Sequence, residues 1–251
     1  MKKILFVIAL CSRFGNAQAE DMSPVVTFTF DDAWLSQYTE VLPIMSRAGI
    51  VGTLFAITQR ISHEDSWSAE NYMSWAQLKE MEQAGWDVQS HTHSHPNLTQ
   101  IDDSSLFGEL AYSQLLLRQR LGVEANYIAT PFGEFDERVM NFVTKQYQAH
   151  FRAWGGNEGF NDLTNLDPYN VGRYEVKADY TVDHVCGIVS DLHPNTWLVF
   201  EFHKVVEAQE IKPYEVSKEI LEKIVDCTVV QEKLGKIRIM TANQVLEKGE
   251  W

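Results

Sequence analysis

Pro24-Val25-Val26-Thr27-Phe28-Thr29-Phe30-Asp31-Asp32 decides the reading of this chain. Seven apolar and β-branched residues in a row describe a strand buried on both faces, as in a parallel sheet covered by helices. Two adjacent carboxylates then end it. Buried like charges repel, so the pair calls for a cation and for a division of labour between the two side chains. An aspartate before Ala33-Trp34-Leu35 also suits a helix N-cap, and the two uses are compatible.

Outward from this strand, helix and strand signals alternate. Ser36 to Ala48 reads as a helix closed by Gly49, and Gly52 to Ile57 as the next strand. Met73 to Gln83 is amphipathic through Trp75, Leu78 and Met81, and Trp86 to Ser90 is a strand. Asp103 to Leu121 is helical up to Gly122, Asn126 to Thr130 is a strand, and Asp136 to Gln146 is helical. Tyr147 to Trp154 is strand-like and runs into Gly155-Gly156. Val171 to Val176, Thr196 to His203 and Ile237 to Met240 are further strands. Tyr180 to Leu192 and Val216 to Glu232 are helices between them, and Thr241 caps a short last one. No linker or repeat interrupts the pattern. It predicts one α/β domain over 20–251 with a mostly parallel sheet. The polar residues of interest fall at the C-terminal ends of strands, where such sheets place their sites.

The start reads as an export leader over 1–19. Lys2 and Lys3 precede the apolar run Ile4 to Leu10, and Ala17-Gln18-Ala19 offers a cleavage site. That run is far shorter than the roughly 20 residues of a spanning helix. Nothing else suggests a transmembrane segment. Cys11 follows bulky Leu10, which argues against a lipoprotein leader. Cleavage after Ala19 leaves 18 basic residues against 35 acidic ones, a formal net charge of −17. Such a charge argues against nucleic acid and anionic membrane surfaces as partners. No surface for a partner protein is marked. Cys186 and Cys227 remain in the mature chain, either as a disulfide or as two buried thiols.

Ser90-His91-Thr92-His93-Ser94-His95 is the second chemical motif. His91 and His95 are four residues apart, so one helical turn would bring them together. Two imidazoles and a carboxylate form a divalent-metal triad with positions open to water and substrate. His93 would point elsewhere, to a hydrogen bond or to solvent.

Thr29-Phe30-Asp31-Asp32 followed by His91-Thr92-x-x-His95 resembles the first two motifs of the polysaccharide deacetylases, the NodB-like carbohydrate esterases of family 4. The likeness extends over nearly all of 20–251. It implies a distorted (β/α) barrel of about seven strands and a metal that is usually zinc. It implies Asp31 as general base, with Asp32, His91 and His95 as metal ligands. Ala129-Thr130-Pro131-Phe132-Gly133 resembles the third motif, so Pro131 and Phe132 would line the substrate groove and the Phe132 N–H would face an oxyanion. Leu198 to His203 resembles the last motif. His203 would be the general acid, and Leu198 or Phe200 an apolar wall, because the family's leucine position holds Glu201.

Two departures stand out. The third motif usually begins with an arginine that orients the base, and Ala129 replaces it. The aspartate-tryptophan motif that supports the acid is not evident. The same alanine-x-proline-aromatic pattern marks a subgroup that deacetylates exopolysaccharide. Arg173, in Val171-Gly172-Arg173-Tyr174, either replaces the lost charge or lies on the surface. Trp34, Trp67, Trp154 and Trp197 are candidates to stack on sugar rings, Trp197 foremost.

The expected activity is metal-dependent removal of acetyl groups from an N-acetylated carbohydrate by an exported enzyme. O-deacetylation by the same groups, hydrolysis of a small non-sugar amide, and a binding domain without turnover remain alternatives.

Overall fold

The computed structural model describes residues 22–62, 71–153, 159–207 and 211–247. The leader, Cys11, Trp67, Trp154 and Gly155-Gly156 lie outside them.

Strand β1 (Val25–Asp32) is buried at every position. It pairs in parallel with β2 (Thr53–Ala56) on one side and β9 (Thr196–Phe202) on the other. Beyond β2 the sheet continues through β3 (Asp87–Ser90), β4 (Tyr127–Ala129), β5 (Ala149–Arg152) and β7 (Val171–Gly172). β6 (Phe160–Asp162) is an antiparallel edge on β9, and β12 (Arg238–Ile239) adds to β1. One residue, Arg173, separates β7 from β8 (Tyr174–Glu175), and β8 pairs with β9. The two ends of the sheet thus approach each other at Arg173. The result is the expected distorted barrel, nearly closed, with eight strands along its main path.

Side-chain alternation along β1 sorts the core. Val26, Phe28 and Phe30 pack outward against helices α1 (Leu42–Ala48), α2 (Trp75–Gln83), α5 (Val182–Ser190) and α6 (Lys218–Lys233). Val25 packs inward with Phe55, Phe151, Trp197 and Val199. Thr27 and Thr29 share that inner face and satisfy their hydroxyls on the carbonyls of Met240 and Phe200, at 2.7 Å each. The same alternation turns Asp31 inward at the C-terminal mouth of the barrel. On β9 it turns Trp197, Val199 and Glu201 inward.

Local chemistry sets the helix ends. Ser74 and Gln77 form a reciprocal capping box at α2. Asp102 accepts from the Ser104 and Ser105 N–H groups at the start of α3 (Asp103–Leu121), which ends at left-handed Gly122. α4 (Glu137–Gln146) is capped by Asp136. Thr241 and Gln244 exchange hydrogen bonds ahead of α7 (Ala242–Glu247). β10 (Lys204–Val206) and β11 (Glu215–Ser217) form a small parallel pair beside the mouth. A Cys186–Cys227 disulfide ties α5 to α6, which resolves the two thiol readings in favour of a bond.

The helix expected over Ser36 to Ala48 is corrected in part. Its first turn, Gln37–Val41, is a π turn, in which the Leu42 N–H reaches the Gln37 carbonyl. No described helix is long and apolar enough to cross a membrane.

Candidate active site

A cavity of about 280 Å³ opens at the mouth of the barrel. Asp31, Asp32, His91, His95, Arg173 and His203 all line it, together with Glu201, Glu175, Thr130 and Ala153. Trp34, Phe132, Gly133 and Tyr214 complete the walls.

His91 and His95 do converge, but not through a helical turn. His91 ends β3, and the chain then turns through Thr92 at φ 65° and His95 at φ 65°. Left-handed backbone is costly for residues with a Cβ, most of all for a β-branched threonine. Side chains hold the turn. The Thr92 hydroxyl accepts from the His95 N–H at 3.1 Å, and the Ser90 hydroxyl from the Thr92 N–H at 3.2 Å. Glu109 of α3 accepts from the Ser94 N–H at 2.7 Å and the Ser94 hydroxyl at 2.5 Å, and its carbonyl accepts from the His93 N–H. Asp32, Ala33 and Phe132 are also left-handed, so backbone strain gathers around the cavity. His93 turns away to the Thr58 hydroxyl at 3.0 Å.

The donor set suits a divalent cation. His91 Nδ1 lies 2.8 Å from the Ala129 carbonyl. A carbonyl only accepts, so Nδ1 is the donor there, and in the neutral ring the lone pair lies on Nε2. That Nε2 lies 3.6 Å from Asp32 Oδ1, and His95 Nε2 lies 3.7 Å from the same oxygen. Burial is the main cause that lowers the His95 pKa to about 3, so this ring is neutral and able to ligate. The three ligand atoms fall within 4.8 Å of one another. Asp32 caps no helix; its Oδ2 accepts from Trp34 Nε1 at 2.9 Å.

Asp31 shares His91, whose Nε2 lies 3.7 Å from its Oδ2, but it also has an ion-pair partner of its own. Arg173 Nη1 donates to its Oδ1 at 2.7 Å, both side chains being at most 1% exposed. Burial pushes this carboxyl up, but Arg173, His91 and His203 outweigh it and hold it below the usual carboxylate range. The second arm of Arg173 reaches Glu201 Oε1 at 3.0 Å, and the guanidinium lies 5.4 Å over the Phe55 ring. Burial drives the Glu201 carboxyl up, against the opposing pull of Arg173. His203 Nε2 is 3.9 Å from Glu201 Oε1. Burial lowers its pKa, but the carboxylates of Asp31, Glu201 and Asp32 outweigh that and raise it, favouring imidazolium.

The expected substrate contacts need correction. Trp197, Leu198 and Phe200 are completely buried. β9 is a central strand, so its inner face fills the barrel and its outer face meets the helices. Trp197 Nε1 is spent on the Thr27 hydroxyl at 2.8 Å, Leu198 packs under the helices, and Phe200 meets Phe28, Phe202 and Tyr174 in tilted and edge-on contacts. Pro131 is buried at the start of a short turn, and only Phe132 of that pair faces the cavity. Phe132 is 58% exposed and meets the His95 ring edge-on at 4.6 Å. Trp34 stacks on Tyr72 at 4.4 Å, with the Lys204 ammonium over its ring. Tyr214, Glu109 and Glu201 have no place among the expected groups. Tyr214 sits in a polar loop without a motif, and Glu109 lies on a helix face. Glu201 is visible in the sequence only as a carboxylate inside an apolar strand.

Residues 18–151, just over half of the chain, match the family model described as Polysaccharide deacetylase. The chain belongs to that family. Arg173, Glu201 and His203 lie beyond the matched residues. The YxkH protein of Bacillus subtilis is 28% identical over 120 residues, 48% of this chain and 41% of that protein. A poly-beta-1,6-N-acetyl-D-glucosamine N-deacetylase of Staphylococcus aureus is 27% identical over 129 residues, 48% of this chain and 44% of that one. The chain thus spans less than half the length of these curated relatives. Among solved structures, a Streptococcus pyogenes deacetylase in complex with acetate superposes with TM-score 0.52 at 26% identity, over 60% of this chain and 63% of that one. A family 4 acetyl xylan esterase of Clostridium thermocellum shares the fold, with TM-score 0.60 at 14% identity over 89% and 91% of the two chains.

Proposed function

We propose, from membership in that family and the chemistry of the cavity, that this chain hydrolyses acetyl groups from an N-acetylated polysaccharide or oligosaccharide. The observation that supports this most is the separation of two adjacent carboxylates into different surroundings. Asp32 faces the His91 and His95 rings, while Asp31, which also faces His91, is paired with a guanidinium.

In this reading Asp32, His91 and His95 hold a divalent ion, zinc by the preference of imidazole and carboxylate ligands. When bound, it supplies Lewis acidity to the acyl carbonyl and makes water easier to deprotonate. Asp31 is ionised and takes the proton from the attacking water. Arg173 keeps its carboxylate aimed and charged. His203 delivers a proton to the departing sugar nitrogen. The Phe132 main-chain N–H is the proposed donor to the developing oxyanion. Phe132 and Tyr214 offer apolar faces for sugar rings, in place of the buried Trp197. An export leader at 1–19 would bring the enzyme to a polymer outside the cytoplasm.

Release of acetate from N-acetylated and O-acetylated oligosaccharides, with zinc added, tests the reading. Acetate from amide substrates supports it. Acetate from esters alone transfers the assignment to an O-acetyl esterase. Bound zinc without acetate from any glycan points to a binding domain.

A further inference from the structure

We infer that Gln37 is a positioning residue that sets the spacing between the proton acceptor Asp31 and the proton donor His203. The inference rests on the deacetylase reading for the roles of those two groups. Its basis in the chain is independent of that reading.

The parallel ladder between β1 and β9 runs from Val25↔Trp197 to Phe30↔Phe202 and stops there. The next residues on the two strands are Asp31 and His203. Their main-chain carbonyls are joined by a side chain: Gln37 Nε2 donates to the Asp31 carbonyl at 2.6 Å and to the His203 carbonyl at 2.9 Å. Both acceptors are carbonyls, so the amide nitrogen must face them and both of its hydrogens are used. Gln37 therefore takes over where the strand ladder ends, at the level of the two reacting side chains.

Two features suggest that this placement is favoured for more than stability. Gln37 is completely buried, yet its Oε1 has no hydrogen-bond partner among the described residues. A buried acceptor without a donor is unfavourable, and a purely structural strut could be apolar. Gln37 also opens the π turn Gln37–Val41. Such single wide turns are uncommon and recur at functional sites. Beside it, the Ser36 hydroxyl accepts from the Val205 N–H at 3.1 Å, so this segment grips the chain at His203 and again two residues beyond it. Both contacts join residues more than 160 positions apart in sequence.

The test is Gln37→Met, which keeps the length of the side chain and removes both donors. Gln37→His retains one N–H donor and guards against a Met variant that does not fold. A misplacement of about 1 Å between reacting groups can lower a rate by about a hundredfold. The expected result for Gln37→Met is a kcat for acetate release down by about ten- to a hundredfold. KM should stay within about twofold of wild type, because no substrate contact is removed. Zinc affinity should be unchanged, and Gln37→His should fall between the two. Wild-type kcat in Gln37→Met, or a change confined to KM, overturns the inference. Crystal structures of wild type and variant provide a readout without turnover. The distance between the Asp31 and His203 carbonyl oxygens should widen in the variant, and an unchanged distance overturns the inference. If the wild type releases no acetate from any glycan, the deacetylase reading fails, and this distance alone still decides the role of Gln37.

Discussion

Arg173 and Asp31, 142 residues apart in sequence, form a 2.7 Å hydrogen-bonded ion pair inside the barrel mouth. The arginine comes from the seam where β7 gives way to β8, while the third motif, which would ordinarily supply such a charge, holds Ala129 at the end of β4. A guanidinium thus pairs with Asp31 from the junction between two other strands.

Replacing Arg173 separates its two duties. Arg173→Lys keeps a charge but loses the planar fork that spans Asp31 and Glu201. We expect kcat to fall at least about tenfold with KM little changed, as for an interaction made mainly in the transition state. Arg173→Met removes the guanidinium from two buried carboxyl groups and should cost roughly 3–5 kcal/mol of stability, read by denaturant unfolding.

Glu109 is not one of the proposed ligands, yet it ties Ser94 and His93 to α3 and so holds the strained turn that carries His91 and His95. Glu109→Ala should weaken zinc binding about 10–100-fold, as loss of a supporting contact does at other metal sites. Titration calorimetry with zinc checks this. Unchanged affinity would show that the turn holds itself.

Tyr214 and Trp197 should respond in opposite ways. Tyr214 is 42% exposed on the cavity wall, so Tyr214→Ala should raise KM for an oligosaccharide and leave stability nearly unchanged. Trp197→Ala empties the barrel interior and should cost about 3–5 kcal/mol. Steady-state kinetics and thermal unfolding on both variants test the exchange of roles.

The region behind the third motif predicts acid sensitivity. Burial holds the His150 pKa down to about 4, from an ordinary 6.5. Its Nδ1 donates to the Tyr169 carbonyl and its Nε2 faces the Thr130 hydroxyl. The folded state therefore favours neutral His150. Its contribution is fully present above pH 6.5 and is lost as pH falls toward 4. Unfolding free energy measured from pH 7 to pH 4 should decline, and His150→Gln should flatten that decline.

Much of this was legible in the sequence, for local reasons. α3 begins and ends where expected, because Asp102 can cap it and Gly122 can turn left-handed after it. The near-continuous apolar run of β1 announces a covered parallel sheet, and period-two alternation places Asp31 on its inner face. What escaped reading depends on contacts between distant residues. β6, β10 and β11 are three residues each and owe their form to neighbouring strands. The histidine motif has helical spacing, but strained turns supported by Glu109 bring its rings together. An aromatic-rich strand entering His203 suggests a sugar platform; only the position of β9 in mid-sheet shows that Trp197 is core. Gln37 carries no motif, and its π turn has the apolar spacing of an ordinary helix start.

The most direct test of the account compares acetate release from an N-acetylated oligosaccharide by the zinc-loaded wild type and by Asp31→Asn. The account predicts acetate from the wild type and loss of about 100-fold or more in the variant, the scale of a missing general base, with zinc still bound at one equivalent. Equal rates in the two proteins, or a zinc-bound wild type that releases no acetate, would contradict it.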